Sequence, residues 1–229
     1  MNFDAFKGHI YLIDDDPSIR RSLAFSLSSL GYSIQSFENP KAFLRDALPI
    51  SPAVILLDNR MPESSGLSLQ TELIRQRRDT PIIFISGESQ PTEIIEALKN
   101  GAVDFLLKPF GLHALVQAID SALEKDKTSL QQRIKTEKAW ARFSSLTDKE
   151  REICGWMIKG FGNKEIANLN GCAASTVKLH RSRVLEKMGC TRLSELLDLA
   201  MDGNKRILNI FEQSGSATTS GLTGQKHVE

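Results

Sequence analysis

Five short apolar runs, HIYLI (9–13), SIQSF (33–37), AVILLD (53–58), PIIFIS (81–86) and DFLL (104–107), punctuate the first half of the chain, with amphipathic stretches between them. Strand-like runs alternating with helical periodicity predict a parallel sheet whose strands are joined by crossover helices. Ile19, Leu23, Leu27 and Leu30 recur at helical spacing, and Gly31 closes that helix. Ile94, Ala97 and Leu98 do the same before the stop signal Asn100-Gly101. A last helix begins near Leu112 and keeps one apolar face through Leu115, Ile119 and Leu123. The expected fold is α/β: a five-stranded, parallel, doubly wound domain over residues 1–123.

From 124 to 143 the chain turns polar without Gly or Pro, with Leu130 and Ile134 as sparse apolar points. This predicts a charged helical linker, with its heptad pattern broken at Lys127. After Leu146 the periodicity is wholly helical, and Thr147-x-x-Glu150 is a capping-box start. Helices are expected at about 148–159, 163–169, 175–188 and 192–201, making an all-α four-helix domain over 144–203. The Ser/Thr/Gly-rich tail cannot supply a core, so residues 204–229 are expected to be disordered.

Length and charge sharpen this division. A chain of 229 residues exceeds the usual single-domain size of roughly 100–150, so two modest domains are expected. The net charge of +1 hides an asymmetry: residues 1–125 carry −4 and residues 126–229 carry +5. An acidic half followed by a basic half fits a second domain that meets a polyanion. Cys154, Cys172 and Cys190 are too widely spaced for a zinc or disulfide framework. The amino terminus lacks the basic start and apolar run of a signal peptide, and no apolar stretch reaches the ~18 residues of a membrane span. A reduced, cytoplasmic protein without a membrane partner is the expectation.

In open parallel sheets, chemistry collects at the carboxyl ends of the strands, beside the point where strand order reverses. Those ends carry Asp14-Asp15-Asp16, Asp58, Ser86 and Lys108-Pro109. Taken singly each has a plain structural reading: Asp16 or Ser18 as a helix cap, Asp58 as a turn residue. Together they bring carboxylates, one lysine and one hydroxyl from different strands to one edge, which is a set suited to phosphoryl transfer. Carboxylates and a backbone carbonyl also suit Mg2+, which keeps several of its waters.

The motifs LIDDD, LLDNRMPESSG, FISGE and GAVDFLLKPF resemble the response-regulator receiver family over nearly all of residues 8–125, in an order most like the FixJ and NarL type. The resemblance implies that Asp58 accepts phosphate from a histidine kinase as an acyl phosphate. It also implies that Mg2+ is held by Asp14, Asp15, Asp58 and the backbone carbonyl of Arg60. Lys108 would contact the phosphoryl group, with the Lys108-Pro109 bond cis, and Ser86 and Phe105 would form the switch pair. Serine at 86 and phenylalanine at 105 depart from the commoner threonine and tyrosine, so the aromatic part of the switch would act through packing. GESQ after Phe84-Ile85-Ser86 differs from close relatives, and Arg60 and Glu88 occupy positions that tune phosphate lifetime in the family.

In the second half, GFGNKEIANLNGCAASTVKLHRSRVLEKMG has the layout of a helix-turn-helix. Ile166, Ala167 and Leu169 would face inward, Asn170-Gly171 would make the turn, and Ser175 would cap the next helix. Val177, Val184, Leu185 and Met188 would pack, leaving Thr176, Lys178, Arg181, Ser182 and Arg183 around the exposed sides. Between Ala173 and Arg192 the local charge is +4, which predicts salt-dependent phosphate attraction. LTDKEREIC, GFGNKEIA and STVKLHRSRVLEKMG resemble the LuxR-type DNA-binding domain over about 144–203. That resemblance implies double-stranded DNA read by Ser175, Thr176, Lys178, Leu179, Arg181, Ser182 and Arg183, with Lys178, Leu179 and Ser182 at groove-facing positions. His180 is expected to pack, and Trp140, Phe143, Trp156 and Phe161 to serve the core.

The whole reading is a transcriptional response regulator, not an enzyme, that forms a homodimer on phosphorylation, with RNA polymerase as a further partner. Two alternatives stay open: a DNA-binding regulator with a vestigial receiver, indifferent to phosphate, and a phosphoaspartyl hydrolase. Against the hydrolase, Arg60 stands where such enzymes carry a second carboxylate.

Overall fold

The computed structural model describes residues 7–62 and 64–201. The expected disorder of residues 204–229 lies outside the described residues. The chain divides into two compact units, Met1–Gln131 and Gln132–Glu229. The division falls inside the stretch read as a linker.

The first unit carries β1 (His9–Ile13), α1 (Pro17–Ser29), β2 (Ser33–Phe37), α2 (Pro40–Asp46) and β3 (Ala53–Asp58). After them come β4 (Arg60–Met61), β5 (Ser64–Ser65), α3 (Gly66–Arg75), β6 (Ile82–Ser86), α4 (Pro91–Lys99), β7 (Asp104–Leu107) and the start of α5 (Leu112–Ser144). Five strands form one sheet in the order β2-β1-β3-β6-β7, and the pairings are parallel. Strand order reverses between β1 and β3, so their carboxyl ends border the crevice where such sheets bind ligands. The sheet is the expected one. The two-residue ribbon of β4 and β5, and the helices α2 and α3, were not singled out in the sequence.

Both faces of the sheet are covered, which is why β1 and β3 are buried along their whole lengths. Ile10, Leu12, Val54, Leu56, Ile83 and Ile85 pack with Leu27, Leu115, Ile119 and Ala122 on one side. Tyr11, Ile13, Ile55, Leu57 and Phe84 pack with Phe43, Leu69, Leu73 and Ala97 on the other. Four residues of the predicted helical stripes fall outside these cores: Leu30 is the C-cap of α1, Leu98 is about half exposed on α4, and Ile19 and Ile94 are half-buried. Asp16 does cap α1, its carboxylate accepting from the backbone N–H groups of Ser18 and Ile19.

Past the boundary expected at 123, α5 continues without a break. The Asp126 carboxylate accepts from the Ser51 hydroxyl at 2.5 Å and the Ala53 backbone N–H at 2.9 Å, tying this turn to the start of β3. At its far end Ala139 and Phe143 belong to the core of the second unit.

The second unit adds α6 (Asp148–Ile158), α7 (Asn163–Asn170), α8 (Ala174–Met188) and α9 (Leu193–Met201). Thr147 and Glu150 form the expected capping box of α6. Ile153, Cys154, Met157, Ile166, Val177, Val184, Met188 and Leu196 make its core. Trp156 meets Phe161 edge to face at 5.0 Å, and Trp140 lies against Phe143 at 5.8 Å, as core aromatics. Leu169 departs from its expected inward place and is 54% exposed, because α7 spans only two turns and Ile166 and Ala167 fill its inner face. No helix among the described residues is long and apolar enough to cross a membrane.

Gly66 lets α3 begin directly against β3. A Cβ there would lie 2.7 Å from the Asp58 carbonyl oxygen and 2.9 Å from the Phe84 ring. Gly66→Ala is expected to destabilise the first unit by about 1–3 kcal/mol through overpacking, read as a lower urea midpoint. An unchanged midpoint would contradict this packing.

Candidate functional site

Each residue of the strand-end set arrives on its own element. Asp14 follows β1, Asp58 ends β3, Ser86 ends β6, and Lys108 follows β7. Asp14, Asp58 and Ser86 are buried, and the Lys108-Pro109 bond is cis. The Lys108 ammonium donates to Asp14 Oδ2 at 2.9 Å and to Asp58 Oδ1 at 2.8 Å. The remaining oxygens are held by the backbone: Asp58 Oδ2 accepts from the Arg60 N–H at 2.8 Å, and Asp14 Oδ1 from the Asp16 N–H at 2.9 Å.

Burial pushes the Asp58 carboxyl above the ordinary carboxylate range, while the Lys108 hydrogen bond and charge pull it back. Lys108 works against its own burial, which would lower its pKa. Its hydrogen bonds to Asp58 and Asp14 carry it above the ordinary lysine value. The arrangement is a pair of buried carboxylates at the mouth of a sheet with one cation beside them, a set whose charges suit a phosphoryl group.

The other expected members are placed less closely. Asp15 is exposed, and its backbone carbonyl accepts from Arg20 at 2.9 Å. Arg60 turns its guanidinium toward Glu93 at 3.8 Å. The Ser86 hydroxyl donates to the Glu88 carbonyl at 2.8 Å. The Phe105 ring is half-buried and stacks on Phe84 at 5.5 Å, the two planes inclined by 10°. Among the described residues no cluster of three His, Cys, Asp or Glu side chains is poised for a metal. A groove of about 390 Å³ opens beside Lys108 between Ile19, Leu23, Pro109 and Phe110. A larger cavity of about 500 Å³ lies at the amino end of β6, around Pro81, Ile82 and Arg77, at the opposite end of the sheet from Ser86.

In the second unit α7 ends at Gly171, whose φ of +59° is the left-handed conformation that glycine adopts without strain. The following helix starts one residue earlier than expected. Its N-cap is Ala173, and Ser175 lies inside the first turn instead of capping it. Val177, Val184 and Met188 are buried, while Ser175, Thr176, Lys178, Leu179, Ser182 and Arg183 are exposed. Arg181 is half-buried and donates to the Phe161 carbonyl at 3.0 Å, which anchors α8 to the loop before α7. His180 is also half-buried.

These geometries can be set beside known proteins. Residues 10–120 match the family described as the response regulator receiver domain, and residues 144–200 match the bacterial regulatory proteins of the luxR family. The chain is 38% identical to the transcriptional regulatory protein FixJ of Bradyrhizobium diazoefficiens, over 85% of this chain and 95% of that one. It belongs to the response-regulator family.

The response regulator is also 36% identical to the tetrathionate response regulatory protein TtrR of Salmonella typhimurium, over 82% of its own length and 89% of the relative's. A solved structure of the response regulator StyR superposes with a TM-score of 0.76 at 34% identity, covering 84% of this chain and 98% of that one. The first unit is therefore the receiver domain, and the second carries a LuxR-type DNA-binding domain of a two-component transcription regulator.

One contact escaped the sequence reading because it joins residues distant in the chain: Lys187 to Glu150. The Glu150 carboxylate, buried at 4% exposure, caps α6 through the Thr147 N–H at 2.9 Å. It also takes a 2.6 Å hydrogen bond from Lys187 of α8. Lys187 therefore serves to seat α8 although it is itself exposed, as are Lys178 and Arg183 of the same helix. Lys187, with the Thr147 N–H, holds the Glu150 carboxyl down to about 2, from an ordinary 4.5. A depressed pKa contributes stability that is present above 4.5 and lost as pH falls through about 2. Fluorescence of Trp140 and Trp156, the chain's two tryptophans, reports this unit. Its thermal midpoint is expected to fall between pH 5 and 2 more steeply in the wild type than in Glu150→Gln. Equal slopes would exclude the pair as a source of stability.

Proposed function

We propose that the response regulator is phosphorylated on Asp58 by a histidine kinase, and that the acyl phosphate promotes a homodimer whose DNA-binding domains occupy paired half-sites on double-stranded DNA. The observation that carries this reading is the single Lys108 ammonium bound at once to Asp14 and Asp58. An Asp58 carboxylate oxygen would form the new P–O bond as the P–N bond of a phosphohistidine breaks, the imidazole leaving with a proton. Lys108 would then exchange its bond to the Asp58 carboxylate for one to a phosphoryl oxygen. The groove beside it, lined by Ile19, Leu23, Pro109 and Phe110, offers an apolar approach for a protein donor.

The donor atoms at the site are hard oxygens drawn together around one cation, which suits Mg2+ with several retained waters. Asp14, Asp58 and the Arg60 carbonyl would hold the ion, with Asp15 reaching it from its exposed position. When bound, it supplies charge neutralisation for the phosphoryl oxygens. Ser86 would donate to a phosphoryl oxygen once freed from the Glu88 carbonyl, and Phe105 would follow by leaving or deepening its stack on Phe84.

On the output side, Ser175, Thr176, Lys178, Leu179, Ser182 and Arg183 form the exposed face of α8. They are assigned to DNA, with Lys178, Leu179 and Ser182 facing the groove. Arg181 supports the helix through Phe161 and stands at the border of this face.

DNA affinity measured by gel shift, with and without a small phosphate donor and Mg2+, tests the reading. The donor is expected to tighten wild-type binding by roughly 5- to 150-fold, the usual span of coupling between two sites, and to leave Asp58→Ala unchanged. If both proteins bind and neither responds, the receiver is not the switch and the phosphorylation-independent reading takes its place.

A further inference from the structure

The Ser86 hydroxyl sits in a chain of polar contacts that the receiver site does not itself require. Ser86 donates to the Glu88 carbonyl at 2.8 Å. Ser89 lies 3.0 Å from Ser86, hydroxyl to hydroxyl, and Asn59 Nδ2 lies 3.4 Å from the Ser89 hydroxyl. The direction of the chain follows from counting protons. A carbonyl can only accept, so the single proton of Ser86 goes to Glu88; Ser89 must then donate to Ser86, and the Asn59 amide to Ser89.

Asn59 is an unusual residue to find there. It is 1% exposed, and its backbone is fixed on both sides, its N–H bonded to the Ile85 carbonyl and its carbonyl to the Gly66 N–H. Its side-chain oxygen is buried without a partner. A buried acceptor without a donor is unfavourable, and its presence calls for an account. The proton count supplies one. When Ser86 turns its hydroxyl toward a phosphoryl oxygen, it leaves both the Glu88 carbonyl and the Ser89 proton. Rotation of the Asn59 amide would then present its vacant oxygen to the stranded Ser89 hydroxyl.

We infer that Ser89 and Asn59 are positioning residues that latch the Ser86 hydroxyl in its resting orientation and so set how readily the receiver adopts its switched state. This rests on the reading of Asp58 as the phosphoacceptor. Neither residue touches the phosphoryl site; both act through Ser86.

The test is the affinity of the full chain for beryllofluoride, a phosphoryl mimic, with Mg2+, followed by calorimetry in wild type, Ser89→Ala, Ser86→Ala and the double variant. Loss of the resting hydrogen bond is expected to tighten binding by Ser89→Ala roughly three- to tenfold, the equivalent of one net hydrogen bond. In the Ser86→Ala background the same substitution is expected to have no effect, which a merely structural role of Ser89 would not produce. Ser89→Thr keeps the hydroxyl and is expected to return to wild-type affinity. Unchanged or weaker binding by Ser89→Ala, or an equal gain with and without Ser86, overturns the latch while leaving Asp58 as acceptor. Absence of beryllofluoride binding by the wild type overturns both.

Discussion

Two carboxylates buried at neighbouring strand ends repel one another and lose hydration, and neither can stay ionised without a compensating charge. In this protein the compensation is one lysine. Lys108 stands 94 residues from Asp14 and 50 from Asp58, and reaches both because β7, β3 and β1 end at the same edge of the sheet. Much of the receiver serves that convergence. The order β2-β1-β3-β6-β7 opens the crevice, two covered faces keep β1, β3 and β6 buried, and Gly66 allows a helix to start against Asp58 without displacing it. Removing the lysine would leave two buried charges uncompensated, so the same contact that prepares the site is also one that the fold must keep.

The DNA-binding domain solves a different problem, presenting polar groups on one side of a helix while gripping it on the other. Val177, Val184 and Met188 supply the apolar grip. Two polar anchors add direction: Arg181 to the Phe161 carbonyl, and Lys187 to Glu150. Both use cations that by composition alone would count toward DNA. The positive face that remains is therefore smaller than the local charge of the segment suggests, and it is centred on Lys178 and Arg183.

Much of this was legible in the chain. The buried strands β1, β3 and β6 read as unbroken apolar runs, β2 and β7 as shorter mixed ones, and strand ends are where the acidic triplet, Asp58, Ser86 and Lys108 had to fall. The four helices of the second unit followed from periodicity and from the Thr147–Glu150 cap. What escaped was set by contacts between distant residues. Helix α2 has only seven residues and the ribbon of β4 and β5 two per strand, whereas α3 buries Leu69 and Leu73 at helical spacing and could have been read. Ser175 was expected to cap α8 because serine favours that place, yet the helix begins at Ala174 behind an alanine cap. Leu169 has the composition of a core residue and the position of a surface one. Nothing in local pattern marks Asn59 or Ser89, which reach Ser86 through one chain of hydrogen bonds, Asn59 donating to Ser89 and Ser89 to Ser86.

The proposed role of Asp58 as phosphoacceptor underlies the rest. The most direct measurement is to treat the full chain with a small phosphate donor and Mg2+, reduce it with borohydride, and map the peptides by mass spectrometry. An acyl phosphate on an aspartate is reduced to homoserine, and the account places that change at position 58 alone. Reduction at Asp14, Asp15 or another carboxylate, or no reduction in a chain shown to be folded, would contradict it.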